Sequence, residues 1–403
     1  MRIAFISYEF PPDTGMGGIG TYVKQMASAM SEYNWDVHVF AGTDKVSYDE
    51  TEEGCIIHRI HCNHAVDFKT CVLLKFSEEH IDTPFHLIES PEINGNAWEV
   101  KKKFPSLPLV IRLHAPSSLI ENYSNSYIPF STKLRFLAGA LRRFRWDPGY
   151  WRKYKKYADD DYQFTKLADH IIAPSGIMKK WVLKNWAFDE DKIMILPNLF
   201  NPPVSLLKIP VSANKYKTVI FFGRLNVLKG LVNATRAMVK ILKKHPDWRF
   251  KIIGEDGQGP TPGSSMKAWI LKEINPVSEQ VSFYPGFAYE KIPLLLYEGE
   301  IVILASLFES FSYTCAEAMA AGKAIVASAH SGMSDMIEHN KTGLLVDEKK
   351  IEELYLAINN LITDDNLRFN LATNARKSIS EKYTSARLGI VYKSYYESVL
   401  LPA

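Results

Sequence analysis

The chain has 403 residues, 46% hydrophobic and 23% charged, with a net charge of +3. That length is long for one core and predicts two or three domains. No apolar run approaches the ~20 residues of a membrane span, and the opening MRIAFISYEFPPD is interrupted too soon by Glu9 for a signal peptide. Cys55, Cys62, Cys71 and Cys315 show no C-x-x-C pairing, so reduced thiols are expected. A cytoplasmic protein follows, or one held only peripherally on a membrane.

In chain order, Arg2 to Tyr8 reads as a first strand. Phe10 to Gly20 reads as a proline- and glycine-rich loop, Thr21 to Tyr33 as a helix, and Asp36 to Ala41 as a strand. Gly15, Gly17 and Gly20 spell G-x-G-x-x-G, the dinucleotide fingerprint, although about six residues separate the strand from the first glycine. An NAD-dependent oxidoreductase is therefore one reading. Phe85 to Glu89 is another short strand, with Ser90-Pro91-Glu92 as its end loop. Leu109 to Leu113 is a buried strand that ends in His114-Ala115-Pro116. A His there points into the ligand edge of a parallel sheet, and the alternative is a loop His with no ligand. Glu92 and Asn94 are further candidates on the acceptor side.

Residues 101 to 156 carry a net charge of +11. Within them Leu134, Leu137, Ala138, Leu141 and Phe144 share a helical face, with Arg142, Arg143 and Arg145 around the others. Trp146, Tyr150, Trp151, Tyr154 and Tyr157 are interleaved. The stretch from Lys133 to Lys156 has the composition of a helix lying on anionic lipid. A basic face packed on its own domain is the alternative, and a non-catalytic membrane-surface protein is a further reading. No recognised nucleic-acid module accompanies the charge. Ala168 to Pro174 and Ile193 to Pro197 complete the first half, with Ser175 capping a helix from Gly176 to Trp186. Pro197 to Pro203 reads as the linker.

The second half repeats the alternation. Strand Thr218 to Phe222, loop Gly223 to Gly230 and helix Leu231 to Lys243 come first. Strands Trp248 to Ile253 and Val281 to Tyr284 follow, the latter with loop Pro285-Gly286-Phe287. Next come strand Ile301 to Ala305, loop Leu307 to Ser312, helix Tyr313 to Ala321 ended by Gly322, and strand Ala324 to Ser328. This is the crossover of a parallel sheet. The amides of Phe311, Ser312 and Tyr313 would be free donors for a diphosphate. Acids nearby, Glu309 and Glu317, can hydrogen-bond ribose or sugar hydroxyls. Helices from Lys350 to Ile362, Asp365 to Lys382 and Thr384 to Leu400 close the chain.

The run ESFSYTCAEAMAAGKAIVAS resembles the E-x7-E signature of the retaining glycosyltransferases of family 4, and GRLNVLKG resembles their G-R-L-x-x-x-K-G motif. The resemblance implies an α/β protein of GT-B architecture, with two Rossmann-like domains whose parallel sheets face a central cleft. Expected domains are 1–200 on the acceptor side, 201–383 for the nucleotide sugar, and a helix 384–403 returning to the first. It implies that Arg224 and Lys229 bind the donor diphosphate, Glu309 and His114 contact the sugar, and Glu317 contacts the ribose. Gly17 and Gly18 match a glycine loop facing phosphates and acceptor, and Phe311, Ser312 and Tyr313 line the donor. Ser310-Phe311-Ser312 replaces the usual Gly-Phe-Gly, which narrows the space beside the sugar. The implied reaction is metal-independent transfer from a UDP- or GDP-sugar to a sugar, lipid-linked or small-molecule acceptor, in glycan, glycolipid or cell-surface polysaccharide synthesis. Nucleic acid is not an expected partner.

Overall fold

The computed structural model describes residues 1–15, 17–144, 149–151, 154–211, 216–286 and 291–401. Arg145, Trp146 and Phe287, named above, lie outside the described residues. The chain divides into two compact units. The first comprises Met1–Ser117, Lys155–Asn201 and Glu381–Ala403; the second comprises Ser118–Tyr154 and Pro202–Ser380. The basic segment, expected inside a first domain of 1–200, thus belongs with the second unit: Tyr123 stacks on Phe308 at 5.7 Å, and Asn233 donates to the Tyr127 hydroxyl at 3.3 Å.

In the first unit eight strands form one sheet: β1 (Arg2–Ser7), β2 (Asp36–Thr43), β3 (Tyr48–Glu52), β4 (Cys55–His61), β5 (Leu87–Pro91), β6 (Leu109–Arg112), β7 (His170–Ala173) and β8 (Ile193–Ile195). Their order is β3-β4-β2-β1-β5-β6-β7-β8, with all pairings parallel except β3 on β4. The β3–β4 hairpin turns through Glu53 and Gly54, both at positive φ. The first helix, Gly18–Glu32, starts earlier than the sequence predicts, so Gly18 and Gly20 are helical rather than part of an irregular loop. Cys62 and Cys71 lie with their sulfurs 3.0 Å apart as free thiols.

The last helix, Ile390–Val399, is fixed to the first unit by a buried polar network. Tyr22 donates to Glu89 Oε1 at 2.6 Å, and Tyr396 donates to the other oxygen. Arg112, fully buried, donates to Tyr392 at 2.7 Å and to the Leu196 carbonyl at 2.9 Å, with its guanidinium 4.6 Å from the Tyr22 ring. A buried carboxylate and a buried guanidinium persist inside a core only when partnered in this way.

In the second unit six parallel strands take the order β11-β10-β9-β12-β13-β14. They are β9 (Thr218–Phe222), β10 (Arg249–Ile253), β11 (Val281–Tyr284), β12 (Ile301–Leu304), β13 (Ala324–Ser328) and β14 (Leu344–Val346). β9 and β12, central in the sheet, are buried throughout, as strands with helices on both faces must be. The order reverses between β9 and β12, and in the first unit between β1 and β5. Ligands of open parallel sheets bind outside the strand ends at such switch points.

Candidate active site

At the switch point of the second unit the loops after β9 and β12 lock together. Gly230 ends the first loop in the left-handed conformation, φ +69°. A Cβ there would sit 1.7 Å from the Ala305 carbonyl oxygen, so only glycine allows the two backbones to meet. Leu307 N donates to Leu228 O at 2.8 Å, which fastens the same contact. Asn226 caps the turn by accepting from Lys229 N at 3.1 Å. This places the Lys229 ammonium in an ion pair with Glu309 Oε1, which Ser306 Oγ also approaches at 3.0 Å. The loop after β13 supports Glu309 from behind: Gly332 N donates to Glu309 O at 2.6 Å.

Arg224 is exposed beside this pair in sequence and makes no ion pair among the described residues. Ser312 caps the helix Tyr313–Ala320 by accepting from Cys315 N at 3.2 Å. The cap takes one first-turn amide, and the dipole of the helix favours an anion at this end. Phe311 is buried, with its ring 5.1 Å from that of Tyr313. Glu317 is buried within the helix, and Gly322 closes it at φ +62°. Burial, with Glu309 second, pushes the Cys315 thiol well up, so this cysteine is packing and not a nucleophile.

In the first unit hydrogen bonds tie down the start of the loop after β1. Thr14 Oγ1 donates to Tyr8 O at 2.5 Å, and Arg59 donates to Phe10 O at 2.7 Å and Pro11 O at 2.6 Å. Gly15 stands at φ +60°, and its missing Cβ would lie 2.3 Å from the Glu9 side chain. The Glu9 side chain therefore fills the space beside Gly15, and its Oε2 stands 3.5 Å from where a Gly17 Cβ would lie. Gly17 and Gly18 are exposed at the start of the helix, where no side chain caps the first turn.

His114 follows β6, and its amide is held by both oxygens of the Glu92 carboxyl at 2.9 Å. Its ring packs edge-on against Tyr22 at 5.3 Å, and its Nε2 is buried without a hydrogen-bond partner among the described residues. Burial and then the nearby Arg112 push the His114 pKa down to about 3, so the ring is neutral near pH 7. Glu92 is itself fully buried, and burial and then Asp161 push it up to about 8. Asp161 receives the amides of Ser117 at 2.8 Å and Asn94 at 3.2 Å. These two acids shape the loops after β5 and β6. The sequence reading named Glu92 and missed Asp161, which no local motif marks. It also missed Glu9, whose position directly before Phe10-Pro11-Pro12 at a strand end was the available signal.

Among the described residues, then, Lys229 and Glu309 touch, and Arg224, Phe311, Ser312, Tyr313 and Glu317 stand on the loops and helix around them. Gly17, Gly18 and His114 belong to the other unit.

Known proteins resemble this chain along most of its length. The model of the Glycosyltransferase Family 4 domain matches residues 16–202, and that of Glycosyl transferases group 1 matches residues 206–378. An uncharacterized glycosyltransferase of Methanocaldococcus jannaschii is 23% identical over 95% of both chains. A glycogen synthase of Mycobacterium tuberculosis is 21% identical over 95% of this chain and 91% of its own. Among solved structures, a sucrose-phosphate synthase from Thermosynechococcus elongatus superposes with a TM-score of 0.72 at 19% identity, over 98% of this chain and 99% of that one. Anabaena HepE in complex with UDP-glucose gives 0.68 at 17% identity, over 99% and 100%. With a glycosyltransferase domain matched in each half and this fold in each unit, the chain is a glycosyltransferase of the GT-B fold.

Proposed function

We propose that the chain is a retaining, metal-independent hexosyltransferase of family 4. It would move a sugar from a UDP- or GDP-sugar to an acceptor in glycan, glycolipid or cell-surface polysaccharide synthesis. The observation that carries this reading is the meeting of Lys229 and Glu309 at the switch point of the second unit, with the exposed Arg224 on the same loop as Lys229 and a helix start just after Glu309. Cations and helix amides suit a diphosphate, and an acid suits sugar hydroxyls.

In the reaction the bond from the anomeric carbon to the diphosphate oxygen breaks, and its electron pair stays on the phosphate. The acceptor oxygen bonds the same face of the carbon, and its proton passes to the departing phosphate. Arg224 and Lys229 stabilise the charge that builds on the leaving group. The diphosphate competes with Glu309 for Lys229, which frees the Glu309 carboxylate for the sugar. Glu317 is assigned the ribose, the amides from Phe311 to Tyr313 the phosphates, neutral His114 a sugar hydroxyl, and the amides at Gly17 and Gly18 the phosphate and acceptor side. A dehydrogenase reading of Gly15, Gly17 and Gly20 is disfavoured by the glycosyltransferase domain matched in each half of the chain.

A thermal-shift screen of UDP-, GDP- and ADP-sugars and of NAD tests this. A donor at 100 times its dissociation constant adds about 2.7 kcal/mol of stability. Stabilisation by a UDP- or GDP-sugar, and a product that keeps the donor's anomeric configuration by NMR, is the expected result. Stabilisation by NAD alone would overturn it.

A further inference from the structure

The helix Phe130–Arg142 carries an apolar face turned to solvent. At 100° per residue Phe130, Leu134, Leu137 and Leu141 fall within one narrow stripe, and Phe144 continues it just past the helix end. Phe130 is 68% exposed, Leu134 46%, Leu141 51% and Phe144 100%. The other side of the helix is occupied: Ala140 is buried, and the Phe136 ring lies 5.3 Å from that of Tyr150. Lys133 borders the stripe, and Arg135, Arg142 and Arg143 lie on the polar side of the helix, with no acid between residues 122 and 144. Among the described residues none of these four cations pairs with a carboxylate.

An amphipathic face of this kind fits the boundary of a bilayer, with leucines and phenylalanines among the acyl chains and cations at the headgroups. Each Lys or Arg near an anionic leaflet contributes about 1 kcal/mol. A second copy of the chain is a poorer occupant, because pairing the stripe with itself would bring two sets of four like charges together.

We propose that this helix docks on a membrane surface containing anionic phospholipid. The proposal does not rest on the glycosyl-transfer reading. The test is co-sedimentation of the full chain with vesicles of phosphatidylcholine alone and of phosphatidylcholine with phosphatidylglycerol. Binding to the anionic vesicles only, weakened by salt, is expected. The double variant Leu134→Glu/Leu141→Glu should lose it. Arg142→Gln/Arg143→Gln should bind about thirty-fold more weakly, from two contributions of about 1 kcal/mol. All four positions are exposed, so the variants should keep the wild-type melting temperature and donor binding.

Equal binding to both vesicle types, no binding, or binding unchanged in both double variants would overturn the proposal. So would self-association of the wild type, lost in Leu134→Glu/Leu141→Glu, without vesicle binding. A chain that binds no nucleotide sugar yet sediments with anionic vesicles would sink the transfer reading and leave this one standing.

Discussion

Lys229 and Glu309, eighty residues apart in sequence, form an ion pair where the loops after β9 and β12 cross. Neither loop places its charge alone. Gly230 lets the backbones touch, Asn226 orients Lys229, and Gly332 fixes the Glu309 carbonyl. A cation and an acid are thereby held together at one sheet edge, each balancing the other.

Arg224→Ala and Glu309→Ala should each lower kcat/KM at least 100-fold, about 3 kcal/mol of transition-state stabilisation. Arg224 is exposed and makes no ion pair among the described residues, so its variant should melt within about 2 °C of the wild type. Donor-dependent transfer assays with melting curves check both. Full activity in either variant would refute the assignment.

His114 should act as a neutral hydrogen-bonding group. With its pKa near 3 it carries no charge at working pH. His114→Ala should cost about 10- to 100-fold in kcat/KM while leaving the shape of the pH–rate profile unchanged. A profile that loses its acid limb in this variant would show that the ring titrates during turnover.

Glu92 should make stability fall as pH rises. Its folded pKa of about 8 lies above the ordinary 4.5. Between those values the native protein holds a proton that the unfolded chain releases, so the contribution declines across that window by at most about 1.4 kcal/mol per pH unit. Glu92→Gln removes the titration. Its stability relative to wild type should therefore grow from about pH 5 to about pH 8.5, measured by urea unfolding. A constant difference would mean that the carboxyl is ionised in the native state.

Gly230→Ala should destabilise the second unit by about 3 kcal/mol or more, combining positive φ with a clash against the Ala305 carbonyl. Urea unfolding of the full chain reads this directly. An unchanged midpoint would show that the two loops can separate without cost.

Local pattern carried the centre of the second unit. The apolar runs of β12 and β13, the Ser312 cap and the closing Gly322 are all short-range signals, and the structure has each of them. Glycine content misled at the first helix, because an uncapped helix start can tolerate Gly18 and Gly20 when Gly17 supplies the extended N-cap. The polar strand β3, Tyr-Asp-Glu-Thr-Glu, has no apolar alternation, and only its partner β4 makes it a strand. Asp161 supports residues 44 and 67 positions away, and the basic segment reaches Asn233 across 106. Such pairings leave no trace in a local window.

The network of Glu89, Tyr396, Arg112 and Tyr392 has a consequence for biogenesis. The first unit draws its final helix from Ile390–Val399, after the polypeptide has passed through the whole of Pro202–Ser380. On the ribosome the early sheet must therefore wait, with Glu89 lacking Tyr396 and Arg112 lacking Tyr392, until Ile390–Val399 has been translated. The later unit meanwhile has every segment it needs and can mature ahead of the domain that was begun first.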